Sequence, residues 1–114
     1  YKNSAQREIN AKKNNFFLTK KTIVTNPNFG IQNLEINYEL TSPNIQVSVH
    51  IYSDSGTLVK RLISNQSLGF EGKIHWDGSD DYGQNVRPGH YILWVELLDK
   101  NGIKSTFKEA FVLI

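Results

Sequence analysis

The chain has no cysteine, no methionine and only three prolines, and no apolar run long enough to span a bilayer. Each absence removes a class of explanation. Without cysteine there is no disulfide framework and no thiolate metal site, a composition compatible with cytoplasm, periplasm or a bacterial surface. Methionine is absent, and Tyr, Phe, Trp, Ile and Val dominate over alanine, which favours strands over helices. Charge of one sign is also scarce: 13 Lys and Arg stand against 11 Asp and Glu, a net +2. That is too little for a nucleic-acid footprint. The excess is local, since Lys2, Arg7, Lys12, Lys13, Lys20 and Lys21 face only Glu8 in the first part. A solvated linker is the plain reading of such a run. No signal peptide opens the chain, and a start at Tyr1 reads as a piece of something longer.

At 114 residues the length corresponds to one domain with a single core. Residues 1–15 are polar and weakly periodic, a linker that turns briefly helical around Ala5 to Ala11. The domain proper then covers 16–114. Phe16 to Val24 is a first strand, stopped by the turn cluster Asn26-Pro27-Asn28-Phe29-Gly30. Leu34, Ile36, Tyr38 and Leu40 alternate with Glu35, Asn37 and Glu39, the pattern of a half-buried strand. Val47, Val49 and Ile51 form the third. Asp54-Ser55-Gly56 makes a hairpin loop, and Thr57 to Ile63 returns. Ser64 to Gly72 reads as a longer connection before the strand Lys73 to Trp76. His90 to Leu98 is the sixth strand. Asn101-Gly102 suits a type I′ turn into the last, Ile103 to Leu113. About seven short strands separated by turns predict an all-β, antiparallel sandwich of Ig-like, fibronectin III-like architecture. In the sixth strand Glu96 marks the face of Ile92 and Trp94 as the outer one. That pair is a candidate docking patch unless the N-terminal segment or a neighbouring domain covers it.

The densest signal is the polar stretch after Trp76. Asp77, Asp80 and Asp81 are the only carboxylate cluster. Asp77, Ser79 and Asp81 have the alternate spacing of a calcium loop, so Asp77 and Asp81 are weak Ca²⁺ candidates. Tyr82 stands where such a loop needs glycine and Pro88 where it needs glutamate. The competing reading is that these side chains accept backbone N–H bonds and shape turns. Asp80 and Asp81 are adjacent and point apart, which does not suit a carboxylate pair spanning a cleft. His50, His75 and His90 are scattered. His50 and His75 face outward and would meet only on paired strands, short of the three or four ligands zinc needs. There is no Gly-x-Ser-x-Gly elbow and no phosphate-cradling glycine loop. Tyr52, Tyr91 and Trp94 are the residue types that stack on sugars or bases, but without a supporting basic stripe packing is the favoured reading.

The segments Val47–Ile63 and Gly72–Ile114 carry a family pattern. An apolar strand ends in Tyr52 and runs through Asp54 and Gly56 to Leu58, Val59 and Leu62. Trp76-Asp77-Gly78 is followed by Asp80-Asp81, Gly83, Val86, Gly89 and Tyr91. In this the chain resembles the bacterial Ig-like module of the flagellar hook-capping protein, a type also found at the C-termini of envelope and secreted proteins. A narrower likeness, carried by Tyr91-Ile92-Leu93, Asp99-Lys100-Asn101-Gly102, Phe107-Lys108 and Val112-Leu113, is to the C-terminal segments of large Gram-negative surface proteins. Some of those have a lamin-tail-like domain upstream. Thr25-Asn26-Pro27-Asn28-Phe29-Gly30 departs from that likeness by lacking its carboxylates. The resemblance implies a non-enzymatic module without cofactor, located in the cell envelope or outside the cell. Its partners would be other domains of its parent chain or envelope proteins, with no nucleic acid involved. A C-terminal sorting domain for outer-membrane secretion and a carbohydrate-binding accessory domain are the alternatives. Trp76, Asp77, Gly78, Asp80, Asp81, Gly83, Gly89 and Tyr91 are expected to serve the scaffold.

Overall fold

The computed structural model describes residues 13–26, 30–31 and 34–114. Its strands are β1 (Asn15–Leu18), β2 (Thr22–Ile23), β3 (Thr25–Asn26), β4 (Gly30–Ile31), β5 (Leu34–Glu39), β6 (Gln46–Ser53), β7 (Leu58–Ser67), β8 (Glu71–Trp76), β9 (Gly89–Leu98) and β10 (Lys104–Leu113). They form a three-stranded sheet in the order β1-β5-β8 and a five-stranded sheet in the order β2-β10-β9-β6-β7. A small pair, β3-β4, stands apart from both. The chain crosses between the two main sheets from β5 to β6, from β7 to β8 and from β8 to β9, while β6-β7 and β9-β10 are antiparallel hairpins. This is the two-layer, all-β sandwich that the alternating pattern predicts.

The core lies between the sheets. Leu34, Ile36 and Trp76 from the smaller sheet, and Val47, Val49, Ile51 and Val95 from the larger, are completely or almost completely shielded from solvent. Period-two burial along β5 and β9 follows from a strand with one wet face. Phe16 reaches across the layers to Phe107, and Trp76 to Phe111.

Three expectations need correction. The strand expected over Phe16 to Val24 is two strands in different sheets. β1 pairs antiparallel with β5, and β2 runs parallel to the end of β10. The buried residues explain the break. Phe16 and Leu18 are in phase with each other but Ile23 is not, so the chain changes layers at Thr19–Lys21 to bury it. The connection expected over Ser64 to Gly72 is mostly strand, because β7 runs on to Ser67. It does so by bulging: three register shifts against β6 absorb extra residues, and Asn65 takes φ 54°. Third, Asn101-Gly102 is not a type I′ turn. Gly102 has φ 80° and Asn101 does not have a positive φ. The helical turn expected at Ala5 to Ala11, and Pro27 to Phe29 of the turn cluster, lie outside the described residues. β1 begins at Asn15, and Asn14 already accepts the Thr41 backbone N–H through Oδ1 at 2.9 Å.

Candidate functional site

The polar segment between β8 and β9 is pinned by the two aromatic residues that bracket it. Trp76 ends β8 with its indole inside the core, edge-on to Tyr91 and Phe111. Its Nε1–H donates to the Ser79 carbonyl at 2.8 Å. Tyr91, near the start of β9, buries its ring and donates its hydroxyl to the Arg87 carbonyl at 2.6 Å. Burial pushes that phenol above its ordinary range.

Between these anchors the carboxylates are turned onto the chain. Asp77 Oδ1 accepts the Ser79 backbone N–H at 3.0 Å and the Ser79 hydroxyl at 2.6 Å. Those bonds, the hydroxyl's foremost, hold Asp77 below the usual carboxylate range. Asp80 Oδ1 accepts two backbone N–H groups, from Tyr82 and Gln84, each at 2.9 Å. Asp81 turns its bonds away from the loop and onto β7. Its N–H donates to the Val59 carbonyl at 3.0 Å, and its Oδ1 accepts the Arg61 N–H at 3.0 Å. Its Oδ2 is 3.1 Å from the Arg61 guanidinium. Backbone bonds from Val86 to Gly78 and from Asp80 to Gln84 complete a miniature hairpin, in which Gly78 and Gly83 have φ 84° and 83°. Gly89 opens β9 at φ 152°.

Asp77 and Asp81, the calcium candidates, therefore turn to different partners. Among the described residues no three His, Asp or Glu side chains are placed to hold a metal ion. His50 and His75 do not meet either. His50 is on β6 of the larger sheet, and His75 is on β8 of the smaller, 3.6 Å from Glu35. Glu35 is also approached by Lys73 and accepts the Thr19 hydroxyl, whose bond is the main reason its carboxyl lies below the ordinary range.

One device was missed in the sequence. Ser53, Asp80 and Asp99 each open the same five-residue turn. The residue's carbonyl accepts the N–H of a glycine three positions on, and its own N–H donates to the carbonyl four positions on. Gly56, Gly83 and Gly102 all sit at φ between 80° and 88°. The geometry is that of a type I turn closed by a left-handed residue, which glycine occupies without Cβ strain. The side-chain oxygen of the opening residue accepts a backbone N–H inside each turn. The legible signal was Ser or Asp three residues before glycine, repeated three times.

The second candidate surface is the outer face of the five-stranded sheet. Ile92 and Trp94 are half-buried there. Trp94 pairs with His50 on one side and Lys108 on the other. The Lys108 ammonium lies 4.6 Å from the indole centroid, and Tyr52 meets the ring edge-on. Ile92 stands between Tyr52 and Ala110. Burial, with the Arg61 charge as a lesser cause, pushes His50 below the usual histidine range. The structure thus brings Trp76, Asp77, Asp80, Asp81 and Tyr91 into one loop assembly and sets Ile92 and Trp94 on a separate face.

Residues 22–101 match the FlgD Ig-like domain. The chain belongs to that family. Both halves of the pattern, around Tyr52 to Leu62 and Trp76 to Tyr91, lie inside the matched span. No curated protein sequence matches the chain. Among solved structures it is similar to FlgD from P. aeruginosa, with TM-score 0.60 and 21% identity over 88% of this chain and 72% of that one. It is similar also to FlgD from Xanthomonas campestris, a protein described as capping the hook in flagellar assembly, with TM-score 0.59 and 22% identity over 95% and 74%. The soluble domain of PmoD from Methylocystis sp. shares the fold at 12% identity, with TM-score 0.57 over 89% and 90%. At these identities the three structures establish a common sandwich. No helix among the described residues is long and apolar enough to cross a membrane.

Proposed function

We propose that this domain is a non-catalytic spacer or docking module, the C-terminal Ig-like domain of a larger bacterial cell-envelope or secreted protein, joined to its parent through its polar N-terminal segment. One observation carries the reading: the polar side chains of the family pattern are committed to backbone. Asp77, Asp80 and Asp81 each accept main-chain N–H groups, and the Trp76 and Tyr91 donors go to main-chain carbonyls. Groups so engaged shape loops and are poorly placed to move protons or bind a substrate. Ile92 and Trp94 are the surface through which docking to a neighbouring domain or envelope protein would run. Membership of a family that includes the hook-capping proteins supports an interaction role.

The test is made on the full-length parent carrying an upstream tag. Deleting the chain from Val86 onward should leave the parent's export intact while I92S/W94A reduces cross-linking to its neighbours. Retention of the truncated parent in the periplasm would instead establish the sorting alternative. A carbohydrate-binding role is disfavoured by the Lys108 ammonium lying over the Trp94 ring where a sugar would stack. A Trp fluorescence shift on a glycan panel would reverse that.

A further inference from the structure

We propose that the loop between β8 and β9 is an edge guard, in which Asp81 takes the place of a neighbouring strand along β7 and keeps the five-stranded sheet from pairing with a second copy of this chain. β7 is the outermost strand of that sheet. An outermost strand presents alternate N–H and C=O groups to solvent and invites pairing with another chain. In the first half of β7 those groups belong to Val59 and Arg61. Both are taken by a single residue, since Asp81 N–H reaches the Val59 carbonyl and Asp81 Oδ1 receives the Arg61 N–H, each at 3.0 Å. A residue in a parallel neighbouring strand makes this pair of bonds, one to each side of the residue it faces. Here the second acceptor is a carboxylate in place of a carbonyl. The imitation therefore stops after one residue, and no new edge is created.

Further contacts hold the guard in place. The Arg61 guanidinium clamps Asp81 Oδ2 at 3.1 Å, and Lys60 Nζ lies 3.4 Å from the Asp80 carbonyl oxygen. The loop behind them is stiffened by the Asp80 turn and tied to the core through Trp76. The remainder of β7 is blunted differently. Its register shifts against β6, and Asn65 N–H turns back to Ser48 Oγ at 3.0 Å inside its own sheet. The opposite edge is the two-residue β2. The acidic pair in the family pattern then divides its work, Asp80 building the turn and Asp81 closing the sheet.

The experiment compares wild type, D81A, D81N and D81A/R61P by amide hydrogen exchange and sedimentation. In wild type the Arg61 amide should exchange slowly although it lies on an outermost strand. D81A should speed that exchange by about tenfold or more and produce concentration-dependent self-association. D81N keeps an oxygen at the acceptor position and should stay monomeric. R61P removes the freed donor from an edge where proline is tolerated and should suppress the association of D81A. A monomeric D81A, whether its Arg61 amide is protected or not, overturns the proposal. Should D81A not fold, the wild type decides: slow Arg61 exchange that D81N preserves supports the guard, and exchange as fast as an open turn overturns it.

Discussion

Trp76 is the largest fully buried side chain among the described residues, its indole touches Tyr91 and Phe111, and its N–H holds the loop through Ser79. W76A should therefore destabilise the domain by about 3–5 kcal/mol in denaturant unfolding, a large part of a typical margin of about 5–15 kcal/mol. W76F should recover much of the packing and leave the Ser79 carbonyl without its indole donor. Asp80 and Asp99 have the same task in two turns, so D80A and D99A should each cost about 1 kcal/mol in the same assay. Gly72 is fixed by proximity: a Cβ there would lie 2.6 Å from the Tyr38 hydroxyl oxygen, which itself donates to the Leu68 carbonyl. Nothing in the sequence shows that approach, because it depends on how β5 and β8 are aligned.

The strands with one clean face were legible as elements. Leu34 to Leu40 alternates, and β5 buries those alternate residues. Elements that obey tertiary demands were not. β1 and β2 divide because Ile23 must be buried in the other layer, and a run of helix-poor residues from Phe16 to Val24 does not mark where the phase changes. β7 continues past Ile63 because bulges let a polar segment stay paired with β6. The β9–β10 turn offers a direct check on the corrected geometry. A type I′ turn needs a positive φ at Asn101 as well as at Gly102, whereas only Gly102 has one. N101A should thus change stability by no more than about 0.5 kcal/mol, and G102A should cost about 1 kcal/mol. Equal losses in urea unfolding would restore the I′ assignment.

On the scale of the whole molecule, acid should weaken the fold for two reasons with the same sign. His50 is pushed below the usual histidine range, so the folded state binds fewer protons than the unfolded state once pH falls under about 6.5. Stability should decline from there down to the folded value, and H50Q should lack that part of the decline. Asp77 and Glu35 are also depressed, so their contributions are present above the ordinary carboxylate range and are lost as pH falls through their folded values. Midpoints of denaturant unfolding between pH 7 and pH 3 would separate the two phases. By itself the sequence determined the all-β class, the alternating inner faces and the positions of the main turns, because period two and turn chemistry are local properties. It also marked the family pattern, because that pattern is a spacing. Which layer each strand joins, that His50 and His75 stand on different sheets, and that Asp81 reaches across to β7 were decided only by the tertiary structure. Those relations join residues about twenty or more positions apart, and their energies exist only once the two layers have closed.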